Sequence, residues 1–156
     1  PQALFINHTV DEPKPVTAAV SLVPATASAS AAALQAPQPT QPTPVAPTTV
    51  SSGLFRSLEH GTTGTALVLR LADGSLVVRL ENLDTSNGPD LHVTLSPVPS
   101  TAGDRDFGDY LDLGSLKGNR GNQNYAVPAA TDLTRFHSVV IWCKRFSVGF
   151  GVAPIA

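Results

Sequence analysis

The feature that most constrains the fold of this chain is an alternation of apolar and polar residues with a period of two, which begins after Gly53. Leu67, Leu69 and Leu71 share one side of an extended segment, while Arg70 points to the opposite side. The same alternation recurs in residues 76–80, 91–95 and 137–150. No window of about 11 residues carries the apolar stripe of a helix. We therefore predict an all-β fold, an antiparallel β-sandwich or barrel of short strands.

Turn-forming residues separate these segments and predict where the chain reverses. Asp73-Gly74 is a typical hairpin turn, and Asn-Gly-Pro-Asp at residues 87–90 predicts a second turn. Residues 137–150 could form two strands or one long bent strand.

Composition divides the chain into three parts. Residues 1–50 hold nine of the 14 prolines and no glycine, whereas residues 51–156 hold all 12 glycines. We predict a short apolar and acidic segment over residues 1–15, a flexible Pro/Ala/Thr-rich linker over residues 16–52 and a β domain over residues 53–156. The linker is expected to be disordered, because its small residues and prolines cannot bury enough apolar area to offset the entropy of ordering it.

The segment before the linker contains Leu4, Phe5, Ile6 and Val10 and then an acidic pair. Two interpretations stay open: a juxtamembrane stub, or a short strand that docks on the domain. The chain has no methionine, which favours a processed product whose signal peptide or membrane anchor lies upstream. We expect an extracytoplasmic protein of bacterial type, secreted or anchored to a membrane or lipid at the cell surface, with the linker reaching through a cell wall.

Charge and hydropathy narrow the classes of partner. The net charge is −2, and binding to nucleic acid requires a clustered basic surface. No uncharged apolar run approaches the roughly 20 residues that span a bilayer. We therefore expect no nucleic-acid partner and no spanning segment within the given sequence.

Four segments carry a resemblance to a known family. In chain order they are LEHGTTG at 58–64, GPDLHV at 88–93, LGSLKGNRGNQNY at 113–125 and SVVIWC at 138–143. Together they resemble the DM-thirteen domain, also called the electron-transfer DM domain, over residues 53–156. The resemblance implies a secreted or membrane-anchored protein, and in animals and plants such domains accompany DOMON domains and cytochrome b-type membrane domains. It also implies a redox role through a hallmark cysteine, as a free thiol or as a ligand to a prosthetic group, and Cys143 occupies that position.

Cys143 is the single cysteine of the chain, so it has no internal disulfide partner. It shares strand parity with Val139 and Ile141, which directs its side chain into the core or into a pocket between layers. A buried, inert thiol is one interpretation. A reactive thiol is the other, because Arg145 is expected two residues further on the same face, where a cation favours thiolate.

Histidines are the candidate partners of this thiol, since no methionine exists to serve as an axial ligand. His60 is the first candidate co-ligand, and His137 has the parity of Cys143 but lies about 20 Å away along an extended strand. His92 is expected on the exposed side of its strand. Thiolate and imidazole suit haem iron, copper or zinc, so the cofactor is unknown: haem or copper is possible, and so is none. CxxCH, CxxC and HExxH motifs are absent, which leaves covalent haem, structural zinc and zincin proteolysis without support.

The tract from Lys117 to Tyr125 allows two interpretations. Its glycines and asparagines could simply shape a loop. Alternatively, side chains of the tract could bind a polar ligand; the candidates are Asn119, Asn122, Gln123, Asn124 and Tyr125.

The leading hypothesis is an anchored, extracytoplasmic β domain with a redox or cofactor-binding role centred on Cys143, helped by His60. Its partner is an unknown redox protein or cell-envelope component. The alternative is a cell-envelope binding or adhesion module in which Cys143 is only a buried core residue. No catalytic motif is recognisable, and no catalytic residue is assigned.

Overall fold

The computed structural model describes residues 6–18, 44–101, 103 and 105–155. The start of the N-terminal segment, with Leu4 and Phe5, lies outside the described residues, as does most of the predicted linker, residues 19–43. The described part of the chain contains no helix long and apolar enough to cross a membrane.

The regular secondary structure of the described residues is almost entirely β-strand. The strands are β1 (Thr9–Asp11), β2 (Thr17–Ala18), β3 (Pro44–Val45), β4 (Thr48–Leu54), β5 (Arg56–Ser57), β6 (Thr62–Arg70), β7 (Leu76–Thr85), β8 (Leu91–Ser96), β9 (Leu111–Ser115), β10 (Arg120–Ala126), β11 (Ser138–Cys143) and β12 (Val148–Pro154). A single 3₁₀ turn, Leu133–Arg135, precedes β11. The all-β prediction is confirmed.

Two five-stranded sheets pack face to face as a sandwich. The first sheet has the order β1-β10-β7-β6-β4, and the second has the order β5-β12-β11-β8-β9. Neighbouring strands are antiparallel except β1, which pairs parallel to β10. β2 and β3 form a separate two-stranded ladder.

The chain passes from one sheet to the other at Phe55. β4 ends at Leu54 in the first sheet and β5 begins at Arg56 in the second. The Phe55 side chain is buried in the core between the sheets, where its apolar area is removed from water. β4 begins at Thr48, so the ladder starts before the boundary at residue 53 that composition indicated.

The second sheet follows the predicted alternation. Leu91, Val93 and Leu95 of β8 lie in the main core between the sheets, as predicted. Residues 137–150 form the two strands β11 and β12 rather than one bent strand.

β6 departs from the expected pattern. Ala66 and Val68 face the main core, whereas Leu67, Leu69 and Leu71 do not belong to it. The reason is the pairing with β7, since Ala66 lies opposite Leu80 and Val68 lies opposite Val78. Cross-strand partners share a face, so the apolar face of β7 fixes that of β6.

The predicted hairpin at Asp73-Gly74 joins β6 and β7. Gly74 has a positive φ of 87°, which a glycine adopts without steric cost. The Asp73 carboxylate accepts hydrogen bonds from the backbone N–H and the hydroxyl of Ser75, at 2.9 and 2.5 Å.

Candidate functional site

Cys143 lies at the end of β11 with its side chain in the main core. Its exposed fraction is 0%, and Val139 and Ile141 belong to the same core, as the strand parity predicted. In the two neighbouring strands it pairs with Leu91 and Val148. The thiol therefore lies in the apolar core between the two sheets.

Arg145 does not take the position that the sequence predicted. β11 ends at Cys143, and the next residues form the turn from Lys144 to Ser147, where Ser147 has a φ of 50°. Arg145 is exposed in this turn, because the alternation of strand faces stops with the strand. The Lys144 ammonium is engaged elsewhere, at 2.5 Å from Oδ2 of Asp112.

His60 is exposed and packs against the domain through its ring. The ring centroid lies 4.0 Å from that of Phe150, a residue of the same core as Cys143. His60 also borders a surface cleft of about 500 Å³, together with Arg120 and Asp84. The structure therefore connects His60 to the core of Cys143 through the Phe150 ring.

His137 lies at the opposite end of β11 from Cys143. Its backbone N–H donates to the Ser96 carbonyl at 2.8 Å, and its carbonyl accepts from the Ile155 N–H at 3.0 Å. These bonds continue the pairing of β11 with β8 and β12 by one residue and give His137 a structural position.

These positions do not make a ligand set for haem or copper at Cys143. The thiol lies among core side chains, His60 lies on the surface, and His137 lies at the far end of the strand. Among the described residues, no three His, Cys, Asp or Glu side chains are grouped as ligands of a metal ion. Binding a prosthetic group to Cys143 would require a different arrangement of the end of the sandwich.

His92 is half-buried, and not exposed as expected. Its Nε2 lies 2.9 Å from Oδ1 of Asp90, and its Nδ1 lies 3.0 Å from Oδ1 of Asp112. Asp90 and His92 are two residues apart, which places them on the same side of the chain. Asp112 comes from β9, so the sequence alone gave no signal for this cluster.

Three asparagines of the Lys117–Tyr125 tract bind the chain's own N-terminal residues. Asn119, Asn122 and Asn124 each hydrogen-bond a residue between Asn7 and Pro13. Asn119 also borders a surface cleft of about 310 Å³, together with His8 and Leu91.

Gln123 and Tyr125 point inward, on the other side of the same strand. The Tyr125 hydroxyl donates to Oε1 of Gln123 at 2.6 Å and accepts from the Lys117 N–H at 2.9 Å. The Gln123 amide donates to the Gly118 carbonyl at 2.7 Å. Burial raises the pKa of Tyr125 to about 12.

The comparison with known families shows which family the chain belongs to. The sequence model of the family described as "Electron transfer DM13" matches residues 54–155. The chain belongs to the DM13 electron-transfer family. No curated protein and no solved structure matches the chain.

Membership of the DM13 family implies a role related to electron transfer. The matched residues include Cys143, His60 and the whole Lys117–Tyr125 tract. They exclude β1, so the N-terminal residues that the asparagines hold lie outside the DM13 domain.

Proposed function

We propose that this DM13 domain serves electron transfer through reversible oxidation of the Cys143 thiol. Family membership over residues 54–155 supports an electron-transfer role, and the chain offers a single sulfur atom for it. The observation that carries the proposal is the position of Cys143 as the last residue of β11, next to an exposed turn.

One side of this end of the sandwich is open to solvent. A cleft of about 310 Å³ has Leu91 in its wall, together with Asp90 and Lys117. Leu91 is the register partner of Cys143. Local opening at this end would bring the thiol into the cleft, whereas the closed sandwich shields it.

The reaction that fits a lone thiol is oxidation by a hydroperoxide. The sulfur attacks one peroxide oxygen, the O–O bond breaks, and the other oxygen leaves as water or an alcohol. The thiol becomes a sulfenic acid, and two thiols of a reductant return it to the reduced state: they supply two electrons and two protons, form a disulfide, and water is released. The DM13 domain would thus pass two electrons from two thiols to a peroxide.

The proposal includes a position outside the cytoplasm, with anchoring to a membrane or lipid. The Pro/Ala/Thr-rich composition of residues 16–52 supports this position, because it suits a spacer between a surface and a domain. Fractionation of the native host with an antibody against the β domain tests it. Recovery in the cytoplasmic fraction would overturn it.

Trapping of the sulfenic acid tests the role of the thiol. The full chain is treated with hydrogen peroxide and a dimedone-type trap in native buffer, and the adduct is located by mass spectrometry. We expect one adduct at Cys143, formed faster than global unfolding allows, and none in Cys143→Ala. Val148→Ala is the matched control, because it truncates a core neighbour and keeps the thiol.

Adduct formation only at the rate of global unfolding would contradict the proposal. An absorption spectrum of protein exported from the native host, with and without dithionite, provides a second test. A Soret-type band that shifts on reduction would replace thiol chemistry by a bound haem.

A second candidate is favoured by the complete burial of Cys143. In it the DM13 domain is a cell-envelope binding or adhesion module, and Cys143 is a core residue. This candidate predicts that Cys143→Ala leaves the binding of cell-envelope material unchanged. Loss of a redox response in that variant, with the fold retained, decides against it.

A further inference from the structure

The N-terminal segment, residues 6–14, lies along the edge of the first sheet. Its strand β1 pairs parallel to β10, with Val10 opposite Gly121. We call the residues of β10 and the preceding loop that contact it, residues 117–124, the acceptor edge. The backbone of the segment continues the ladder, because the Glu12 N–H donates to the Asn122 carbonyl at 2.8 Å.

Three asparagines of the acceptor edge share one arrangement. In each, the side-chain amide bonds both the domain and the N-terminal segment. Asn122 accepts from the Asn82 N–H at 2.9 Å and donates to Oδ1 of Asp11 at 2.8 Å. Asn124 accepts from the Arg79 guanidinium and donates to the Pro13 carbonyl, both at 2.8 Å.

Asn119 completes the series at the start of the segment. Its Nδ2 donates to the Thr85 carbonyl and to Oδ1 of Asn7, both at 2.9 Å. Its Oδ1 accepts from the His8 N–H at 2.7 Å. The bonds to the domain thus fix the orientation of each amide, and the remaining hydrogen bonds of these amides recognise the segment.

Two glycines make room for the segment. A Cβ on Gly118 would lie 2.5 Å from the His8 carbonyl oxygen and 2.8 Å from Cγ2 of Val10. A Cβ on Gly121 would lie 1.9 Å from the Val10 carbonyl oxygen. The three nearest atoms at both positions belong to the segment. At Gly118 the segment leaves no room for a side chain, whereas Gly121 also has a positive φ of 100° that favours glycine by itself.

Ion pairs with the domain also bind the C-terminal half of the segment. The Lys117 ammonium lies 2.7 Å from Oε1 of Glu12, and the buried Arg79 donates to the Glu12 carbonyl at 3.1 Å. Lys14 lies 3.5 Å from Oε1 of Glu81. These pairs favour an acidic residue followed by a basic one at these two positions.

The geometry points to the acceptor edge as a peptide-binding site that takes an extended segment with the pattern of residues 7–14. The chain's own N-terminal segment occupies this site, and it stays bound when the covalent link to the domain is cut. The acceptor edge lies within the DM13 domain and the ligand lies outside it. Strand addition of this kind draws affinity from main-chain bonds and specificity from side-chain positions.

Cleavage of the link and exchange of the segment test this proposal. A protease site is inserted between Ala32 and Ala33 of the full chain and cut after folding. A fluorescent synthetic peptide of residues 4–16 is then added and its anisotropy measured. This peptide ends before β2, so its binding reports on β1 alone. We expect saturable binding, displaced by excess unlabelled peptide and at least tenfold weaker in the uncut chain, where the tethered segment competes at high effective concentration.

Variants of the chain and of the peptide distinguish specific recognition of the peptide from non-specific binding. Gly118→Ala should weaken binding at least tenfold, whereas Gly61→Ala, where a Cβ meets nothing within 4 Å, should leave it unchanged. A peptide with Glu12→Gln should bind about threefold more weakly, since exposed ion pairs contribute little. Asn124→Ala provides a second weakened site if Gly118→Ala fails to fold.

Three results would overturn the proposal. They are absence of peptide binding to the cut chain, equal binding of a scrambled peptide, and equal binding to the Gly118→Ala chain. Since none of these readouts involves Cys143, the proposal stands or falls independently of the redox function.

Discussion

His92 and Asp112 are joined across β8 and β9 by a contact of 3.0 Å between Nδ1 and Oδ1. The other ring nitrogen of His92 faces a second carboxylate. The cluster thus brings two carboxylates to one imidazole ring, with Lys144 bonded to the far oxygen of Asp112.

Replacing Asp112 with asparagine should lower stability at neutral pH, by about 1–2 kcal/mol. Burial alone would raise the pKa of Asp112, but hydrogen bonds from Lys144, the Gly114 N–H and His92 outweigh it and hold the pKa below 3.8. A carboxyl with a depressed pKa contributes stability above its unfolded pKa and loses it as the pH falls through the folded pKa. The difference between the two proteins should thus shrink below about pH 4, measured by urea unfolding. Asp109→Asn, at an exposed loop position, is the control, and a difference that persists at pH 2 would contradict the prediction.

Replacing Tyr125 with phenylalanine should cost about 1–2 kcal/mol at pH 7, because the bonds to Gln123 and to the Lys117 N–H are lost. The hydroxyl has a pKa of about 12 in the fold against an ordinary 10.0. A raised pKa contributes stability below pH 10 and loses about 1.4 kcal/mol per pH unit from pH 10 to pH 12. The free energies of unfolding of the two proteins, measured as a function of pH, should therefore converge above pH 10. Parallel curves over that range would disprove the role of the buried phenol.

Replacing Thr62 with valine should destabilise the domain by about 1–3 kcal/mol. The Thr62 hydroxyl is buried, lies 2.8 Å from the Thr85 hydroxyl and donates to the Phe150 carbonyl at 3.1 Å. Valine keeps the shape and removes both bonds; the Phe150 carbonyl keeps its bond from the Leu58 N–H at 2.9 Å, whereas the Thr85 hydroxyl loses this partner. Thr63→Val is the matched control, since Thr63 is exposed in the same strand. Equal melting temperatures of the two variants would contradict this reading.

Replacing Phe107 with leucine should change the emission of Trp142, the only tryptophan of the chain. The two rings meet edge to face at 5.7 Å, a geometry that contributes about 1 kcal/mol beyond burial. The variant should lose about that much stability, and its emission maximum should move to longer wavelength. Phe146→Leu, whose ring is 59% exposed, should change neither quantity.

Strand parity was predictable where one face alone meets the main core. Leu91 and Val93 followed the alternation because polar residues separate them in β8; Cys143 also followed it, although Val140 on the other face of β11 is equally buried. β6 could not be oriented in this way, since Leu69 on one face and Val68 on the other are both 1% exposed. Hydrophobicity does not choose between two buried faces, and the pairing with β7 decides the orientation.

The contacts of the candidate residues could not be predicted from the sequence. The asparagines were candidates for binding a polar ligand or for shaping a loop, and the partners of Asn119 and Asn122 lie more than 100 residues away in the chain. The position of Arg145 depended on where β11 ends, and the turn after Cys143 begins with Lys144. Periodicity carries no information on either point.

β1 and β4 occupy opposite edges of the first sheet, and this arrangement governs the response of the protein to pulling. Tension applied at the N-terminus reaches β1 before β4. Detachment of β1 would let the chain from Glu12 to Pro47 extend by on the order of 100 Å while the remaining strands of the sandwich stay paired. The N-terminal strand would thus detach, and the chain after it extend, before tension reaches the other strands of the sandwich.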